Sequence, residues 1–152
     1  MPGSGPAGER EIAVEDLFAA YLETVLANNE LITSVVVPAQ PPRRAAYIKC
    51  TARSADDWPA LGIAVSFEIE DGVVRDARIA VGAATETAMR LRQAEALLTV
   101  RRLDDALLNE VGRAASAEAP VAADHHGSAS YKRVLVEVYL RRTLHQALAG
   151  AA

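Results

Sequence analysis

One segment of this chain has a hydrophobic pattern that fits a single local structure. In residues 61–70 every second side chain is a large apolar one, as at Ile63 and Phe67, and the return segment 73–81 repeats the alternation. Asp71-Gly72 lies between the two segments, and this dipeptide favours the positive φ angles of a tight hairpin turn. A period of two is typical of a strand with one buried face. The sequence therefore predicts an antiparallel hairpin in a sheet that is covered on one side only.

Two further segments are predicted as strands. Residues 31–37 are rich in β-branched side chains, and prolines follow them at once. Residues 46–53 alternate, so that Cys50 lies on the apolar side, while Tyr47 and Lys49 point to the other side.

Four segments are predicted as helices, because their apolar residues recur three and four positions apart. They are residues 14–27, a segment that begins near Thr87 as its cap, residues 104–117 and residues 130–149. One helix therefore precedes the strands and three follow the hairpin. This order indicates an α+β fold, in which helices pack on one face of an antiparallel sheet.

The length and the net charge limit the classes of protein to which this chain can belong. The 152 residues suffice for one domain with a real core. We expect the Gly- and Pro-rich residues 1–10 to be a disordered lead-in and residues 11–150 to be the domain. The net charge of −4 argues against a domain built around nucleic-acid phosphates. No membrane-spanning run and no secretory signal pattern is present in the sequence, so the expected location is the cytoplasm.

The common catalytic motifs are missing from the sequence. Neither G-x-G-x-x-G nor G-x-x-x-x-G-K-[ST] occurs, so no self-contained phosphate-binding loop is present. No G-x-S-x-G nucleophile motif occurs, and no pair of carboxylates has a spacing that requires acid–base catalysis. We therefore predict no catalytic residue and no metal site in this chain.

Most of the remaining chemically active side chains are predicted to be structural. Cys50, the single cysteine, is expected to be a buried, unreactive thiol. His125 and His126 are neighbours on a loop, where adjacent side chains point apart, and no third ligand lies near them in sequence. Ser128 is expected to be a cap or turn residue. His145 is expected to be exposed on the last helix.

Lys49 is the exception. The chain has only two lysines, and the alternation of its strand puts Lys49 on the face away from the core. Two interpretations stay open: a surface lysine near a sheet edge, or a cation aimed at a ligand that lies across this face.

An ordered set of short segments, spread over about residues 11–148, matches a known pattern. In order they are Asp16-Leu17-Phe18; Asn29 to Thr33 with Val35, Val37 and Pro38; Tyr47-Ile48-Lys49; Arg53 with Asp56 to Pro59; Asp71-Gly72 with Ala77 to Gly82; and Asp124 with Gly127-Ser128-Ala129 and Tyr131-Lys132-Arg133. No single segment is specific to one family, but the order of the segments and the gaps between them are. In them the chain resembles the C-terminal domain of the FAD-binding (medium) subunit of molybdenum hydroxylases, the family of carbon monoxide dehydrogenase and xanthine dehydrogenase.

The resemblance implies an α+β sandwich with three or four antiparallel strands against three helices. It also implies a component of a molybdenum–flavin oxidoreductase, in which electrons pass from a molybdenum centre through iron–sulfur clusters to FAD. The lysine that Lys49 matches is a flavin contact in relatives of the xanthine dehydrogenase type, so Lys49 is the candidate cofactor-binding residue. The implied partners are an FAD-binding domain protein, a molybdopterin subunit and a [2Fe–2S] subunit.

The sequence departs from the family in one respect. The Gly-rich loop that holds the FAD diphosphate belongs to an N-terminal domain that has no counterpart in this sequence. A diphosphate needs converging backbone N–H groups or a helix N-terminus, whereas one lysine adds only about 1 kcal/mol. We therefore expect no tight FAD binding and no catalysis by this chain alone. Two alternatives are a non-enzymatic interaction or homodimerisation module, including a truncated remnant of such a subunit, and a binder of a smaller ligand on the Lys49 face.

Overall fold

The computed structural model describes residues 2–5, 8–51 and 57–150. The chain divides into two compact units, residues 1–41 and residues 42–152. The sequence analysis instead indicates a single domain over residues 11–150. The division falls within the proline-rich connection at Pro38, Pro41 and Pro42, where stiff residues without backbone N–H groups interrupt regular structure.

The first unit consists of short elements. They are β1 (Pro2–Gly5), β2 (Gly8–Glu11), α1 (Val14–Leu17), β3 (Phe18–Ala20), β4 (Glu23–Thr24) and β5 (Leu31–Ile32). The strands form a three-stranded antiparallel sheet in the order β2-β1-β5 and a separate β3-β4 hairpin. Two of these strands lie in the segment that the composition predicts as disordered.

The helix predicted over residues 14–27 is wrong beyond its first turn. The backbone becomes extended at Phe18, which has φ −94° and ψ 111°, and Leu22 has a left-handed φ of +58°. Phe18 and Tyr21, which belong to the predicted apolar stripe, are exposed. Leu17 is the buried residue of that stripe, so a longer helix here would gain little further burial, and short helices without such packing are marginal in water.

The strand predicted over residues 31–37 is shorter than expected. Only Leu31–Ile32 is paired, with β1, and the described residues 33–40 form no strand. Glu30 holds the start of this strand in place, because its carboxylate accepts hydrogen bonds from the Arg10 guanidinium at 2.8 and 2.9 Å and from the Ala27 N–H at 2.7 Å.

The second unit contains the predicted sheet and helices. The strands are β6 (Arg44–Cys50), β7 (Leu61–Glu70), β8 (Val73–Gly82) and β9 (Met89–Arg90). The helices are α2 (Arg92–Leu98), α3 (Asp105–Glu118) and α4 (Ala129–Ala149). All neighbouring strands are antiparallel, in the order β6-β7-β8-β9. The hairpin around Asp71-Gly72 and the α+β arrangement are confirmed.

The helices pack on one face of this sheet. Helix α4 packs on β6 and β7, α2 packs on β8, and α3 packs against both of these helices. The inward side chains of β7 are almost fully buried: Leu61, Ile63, Val65 and Phe67. They meet apolar side chains of the helices, such as Leu98, Val111, Leu140 and Leu144, in one continuous core. The opposite face of the sheet carries no helix of the second unit among the described residues.

Two helix starts confirm the sequence analysis and one corrects it. Asp104 caps α3 by accepting from the Leu107 N–H at 2.7 Å, and Ser128 caps α4 by accepting from the Tyr131 N–H at 3.2 Å. Thr87 caps no helix, because β9 intervenes and α2 begins only at Arg92. Glu95 accounts for the difference: it accepts from the Ile79 N–H of β8 and binds Arg90 of β9, so the chain continues as a strand before α2 begins.

Candidate functional site

The sheet face opposite the helices holds the candidate residue Lys49. In β6 the side chains alternate, and Cys50 lies in the core while Lys49 and Tyr47 are exposed on the other face. Lys49 pairs directly with Gly62 of β7. Residues directly opposite each other in an antiparallel pair share a face. The predicted orientation of Lys49, away from the core, is therefore confirmed, whereas its role as a ligand contact stays a prediction.

A shallow cleft of about 250 Å³ lies on this face beside Lys49. Its lining includes small residues of β7 and β8, namely Gly62, Ala64, Ala80 and Gly82, together with Tyr47 and Ala88. Tyr47 lies so close to Gly62 that a Cβ there would come within 2.8 Å of the tyrosine Oη. The missing side chain of Gly62 is thus what lets the Tyr47 ring approach the sheet this closely. The cleft is therefore mostly apolar, with the Tyr47 ring at one side and the Lys49 cation nearby.

A polar cluster around Arg43 lies further along the same two strands. The Arg43 guanidinium, whose side chain is only 6% exposed, donates to Ser66 Oγ at 2.7 Å, Glu68 Oε1 at 2.8 Å and Asp76 Oδ2 at 2.6 Å. It also donates to the Asp76 backbone carbonyl. The strand register shifts between Ser66 and Glu68, and Asp76 has a left-handed φ of +40°. Arg43 therefore satisfies the polar groups that this bulge leaves unpaired.

The charges of that cluster stabilise the Asp76 carboxylate. Its hydrogen bonds with Arg43 and then Arg78 hold the pKa of Asp76 below its ordinary value, against the opposing effect of burial. The positive and negative charges within the cluster balance each other. Its side chains therefore stabilise the bulge and leave little net charge to attract a ligand.

A second cavity, of about 440 Å³, lies near the loop before α4. Aromatic side chains contribute much of its lining: Trp58, His125, His126 and Tyr131. The rings of His125 and His126 have centroids 3.9 Å apart, so the prediction that these side chains point apart is wrong. The reason is a tight turn, in which Asp124 and Gly127 exchange backbone hydrogen bonds at 3.1 Å and bring the two histidines to one side.

Asp124 and Lys132 hold this loop against α4. Lys132 is 1% exposed, and its ammonium donates to Asp124 Oδ2 at 2.6 Å. The other carboxylate oxygen accepts from the His126 N–H at 2.8 Å. Burial works to raise the pKa of Asp124, but these partners outweigh it and hold the pKa below its ordinary value. The sequence analysis carried both residues only as parts of a family pattern and did not foresee their pairing.

The other predicted residues lie where the sequence placed them. Cys50 is buried beside Tyr139, and the hydrogen bond with this thiol, followed by burial, raises the pKa of Tyr139. His145 is exposed on α4. In the parts of the chain that the structure describes, no three His, Cys, Asp or Glu side chains are grouped to share a metal ion. Residues 52–56, which include the last two residues of the strand predicted over residues 46–53, lie outside the described residues.

Known proteins match both this sequence and this geometry. The family model described as the CO dehydrogenase flavoprotein C-terminal domain matches residues 46–147, which include all the residues that line both cavities. The chain belongs to this family. The resemblance inferred from the ordered segments is therefore confirmed, and so is the sandwich of antiparallel strands and three helices that it implied.

Individual relatives of the chain support this assignment. The medium subunit of nicotine 6-hydroxylase from Paenarthrobacter nicotinovorans is 34% identical over 140 residues, which are 92% of this chain and 49% of that protein. The putative xanthine dehydrogenase FAD-binding subunit of Escherichia coli is 22% identical over 148 residues, which are 96% of this chain and 51% of that protein.

A solved structure shows the same fold. Carbon monoxide dehydrogenase from Hydrogenophaga pseudoflava superimposes with a TM-score of 0.91 at 31% identity, over 99% of this chain and 53% of that chain. The chain thus spans about half the length of the relatives it matches. No helix in its described part is both long and apolar enough to cross a membrane.

Proposed function

We propose that this chain is the C-terminal part of a flavoprotein medium subunit in a molybdenum hydroxylase. Its role is to close one side of a flavin site that a separate FAD-binding domain completes. The observation that carries the proposal is the sheet face opposite the helices, where Lys49 lies beside a cleft that Tyr47 and small residues line. Family membership supports it, because relatives are named as medium subunits and one is named as a putative xanthine dehydrogenase FAD-binding subunit.

FAD fits this face in part. A flat aromatic ring can lie on the apolar surface of Ala64 and Ala80, with the Tyr47 ring at its side. The cleft volume of about 250 Å³ is below the roughly 300–1,000 Å³ of pockets that enclose a whole small molecule. Its lining is mostly small apolar side chains, without the converging N–H groups that a diphosphate requires. The face therefore fits one side of the ring system and leaves the diphosphate to a partner.

The division of work follows from these properties. FAD, when bound, supplies the hydride and electron transfer. This chain would exclude water from one side of the ring through Tyr47 and the small residues. Lys49 would place one positive charge next to it, worth about 1 kcal/mol, which is too little to retain FAD without the partner. A molybdopterin subunit and a [2Fe–2S] subunit would complete the enzyme, and we expect it in the cytoplasm.

The test is to co-express the chain with the companion chain that carries a Gly-rich FAD-binding domain, and to measure the visible flavin spectrum of the purified complex. Lys49→Ala is expected to weaken flavin retention about fivefold, the factor that corresponds to about 1 kcal/mol. Lys49→Arg keeps the charge and should retain most of the flavin. Arg113→Ala is the matched control, because Arg113 is an exposed cation on α3 in the helix layer.

Two results would contradict the proposal. One is stoichiometric flavin in the chain purified without a companion. The other is unchanged flavin retention in Lys49→Ala, which would leave Lys49 a surface lysine. A colourless homodimer under all conditions would instead support the second candidate function, an interaction module. That candidate is favoured by one observation, the many apolar side chains exposed in the first unit.

A further inference from the structure

The cavity of about 440 Å³ near the loop before α4 has no part in the proposed function. Its volume lies within the roughly 300–1,000 Å³ range of pockets that enclose a small molecule. The end of β6, the residues just before β7, the loop before α4 and the start of α4 line it. It shares no lining residue with the cleft beside Lys49. The cavity is therefore a separate candidate binding site within the second unit.

Aromatic rings form much of the wall of this cavity. Trp58 is 67% exposed and Tyr131 is 51% exposed, so the core leaves their ring surfaces open to a ligand. His125 and His126 add two further rings, and the hydrogen-bonded turn before α4 fixes their position. The face of an aromatic ring carries partial negative charge and attracts a cation within about 6 Å of its centre. Walls of this kind favour a positively charged ligand.

The lining also contains a carboxylate without a partner. Asp57 is partly buried at the cavity, and in the described part of the chain it forms no ion pair and no side-chain hydrogen bond. Asp124, in the loop before α4, differs because Lys132 compensates its charge. A carboxylate that is partly removed from water is stabilised when a cation pairs with it. Asp57 thus lacks the positive partner that Asp124 has.

The same lining disfavours other classes of ligand. No lysine or arginine is among the described residues that line the cavity, so an anion would meet the Asp57 charge without compensation. A metal ion requires several ligand atoms, and the described residues bring no three His, Cys, Asp or Glu side chains together. An organic cation combines the charge that Asp57 requires with an apolar surface that aromatic rings can contact.

We propose that this cavity binds a small organic cation of the alkylammonium class. The ammonium group pairs with Asp57, and its alkyl groups contact Trp58 and Tyr131. The site is independent of the proposed flavin face, because the two clefts have separate linings.

The test is to titrate the purified full-length chain with choline and to follow the fluorescence of Trp58, the single tryptophan of the chain. The comparison ligand is dimethylbutanol, the neutral alcohol in which carbon replaces the ammonium nitrogen of choline. Choline is expected to shift the emission saturably and to bind at least about tenfold more tightly than the alcohol. Sodium chloride keeps the ionic strength equal in all samples, and calorimetric titration repeats the measurement without the fluorophore.

Two variants and their matched controls locate the site. Asp57→Asn should weaken choline binding about fivefold, whereas Asp71→Asn, at the exposed hairpin turn beyond the far end of β7, should leave it unchanged. Tyr131→Leu should also weaken binding about fivefold, whereas Tyr21→Leu, a change at a similarly exposed tyrosine of the first unit, should not. Circular dichroism melts verify that each variant is folded.

Each outcome decides for or against the site. Saturable choline binding that Asp57→Asn and Tyr131→Leu weaken, and that both controls leave intact, supports it. Equal affinity for choline and the alcohol would show an apolar cavity without charge selection and would overturn the proposal. The absence of saturable binding overturns it as well, and so does binding that either of the two variants leaves unchanged. Flavin retention is measured separately, so these results leave the proposed function to its own test.

Discussion

At the scale of single residues, Lys132 shows how a charged side chain can be part of a core. It is fully buried on α4, and Asp124 is the carboxylate that compensates its charge. Because Asp124 also accepts from the His126 N–H, one carboxylate fixes both the loop and the helix start. The pKa of Asp124 lies below its ordinary value, so the ionised form is the one that folding favours.

This pairing makes stability depend on pH. The contribution of Asp124 is fully present above the unfolded pKa of about 3.9 and is lost as the pH falls through the lower folded value. Asp124→Asn should therefore reduce the free energy of unfolding by about 2 kcal/mol at neutral pH, with a smaller difference from wild type below about pH 4. Urea unfolding at a series of pH values measures this.

The control for that prediction is Asp71→Asn. Asp71 is exposed at the hairpin turn with φ +52°, a conformation that asparagine tolerates, so its change should stay within about 0.5 kcal/mol. A loss in Asp124→Asn that stays constant down to acidic pH would show that the charge of Asp124 is not what matters.

At the scale of elements, α2 is held by two carboxylates from different directions. Glu95, which is 6% exposed, accepts from the Ile79 N–H at 2.9 Å and from Arg90 at 2.7 and 2.8 Å. Glu118 of α3 accepts from the Gln93 and Ala94 N–H groups at the start of α2, at 3.0 and 3.1 Å. A helix of seven residues is too short to be stable alone, so these anchors and its buried face hold it.

The two anchors should differ in strength. Glu95→Gln keeps one acceptor oxygen for Ile79 but removes the charge that faces Arg90, and we expect it to cost about 2 kcal/mol. Glu118→Gln loses only a solvent-accessible cap interaction and should cost at most about 1 kcal/mol. Urea denaturation of both variants measures the difference. Equal losses would contradict the view that burial makes Glu95 the stronger anchor.

At the scale of the whole molecule, the two units differ in how much they bury. The second unit has a continuous core, whereas the first has two buried apolar side chains among its described residues. Amide hydrogen exchange should therefore be slowest in β7 and β8 and fast over residues 18–37, because local opening costs least where little is buried. Mass spectrometry of exchanged peptides measures this. Uniform protection along the chain would contradict it.

Local sequence patterns predicted the second unit well, because its strands and helices bury the same faces that the spacing of their apolar residues indicates. The alternation in β7 and β8 matches a sheet with one covered face, and Asp104 and Ser128 cap helices as their residue types suggest. The same reasoning failed for residues 14–27, since an apolar stripe forms a helix only where a core receives it. It also failed at Thr87, because the hydrogen bond from the Ile79 N–H to the Glu95 carboxylate joins residues distant in sequence.

The candidate site, too, could be predicted from the sequence only in part. The alternation of β6 alone put Lys49 and Tyr47 on the uncovered face, because strand periodicity needs no tertiary information. That Lys49 faces Gly62, that Tyr47 lies over it, and that β8 completes the cleft were decided only by strand register. The sequence by itself determined the family and the class of fold. Tertiary structure decided which apolar side chains found a core and which stayed exposed, because burial depends on neighbours that the local sequence does not specify.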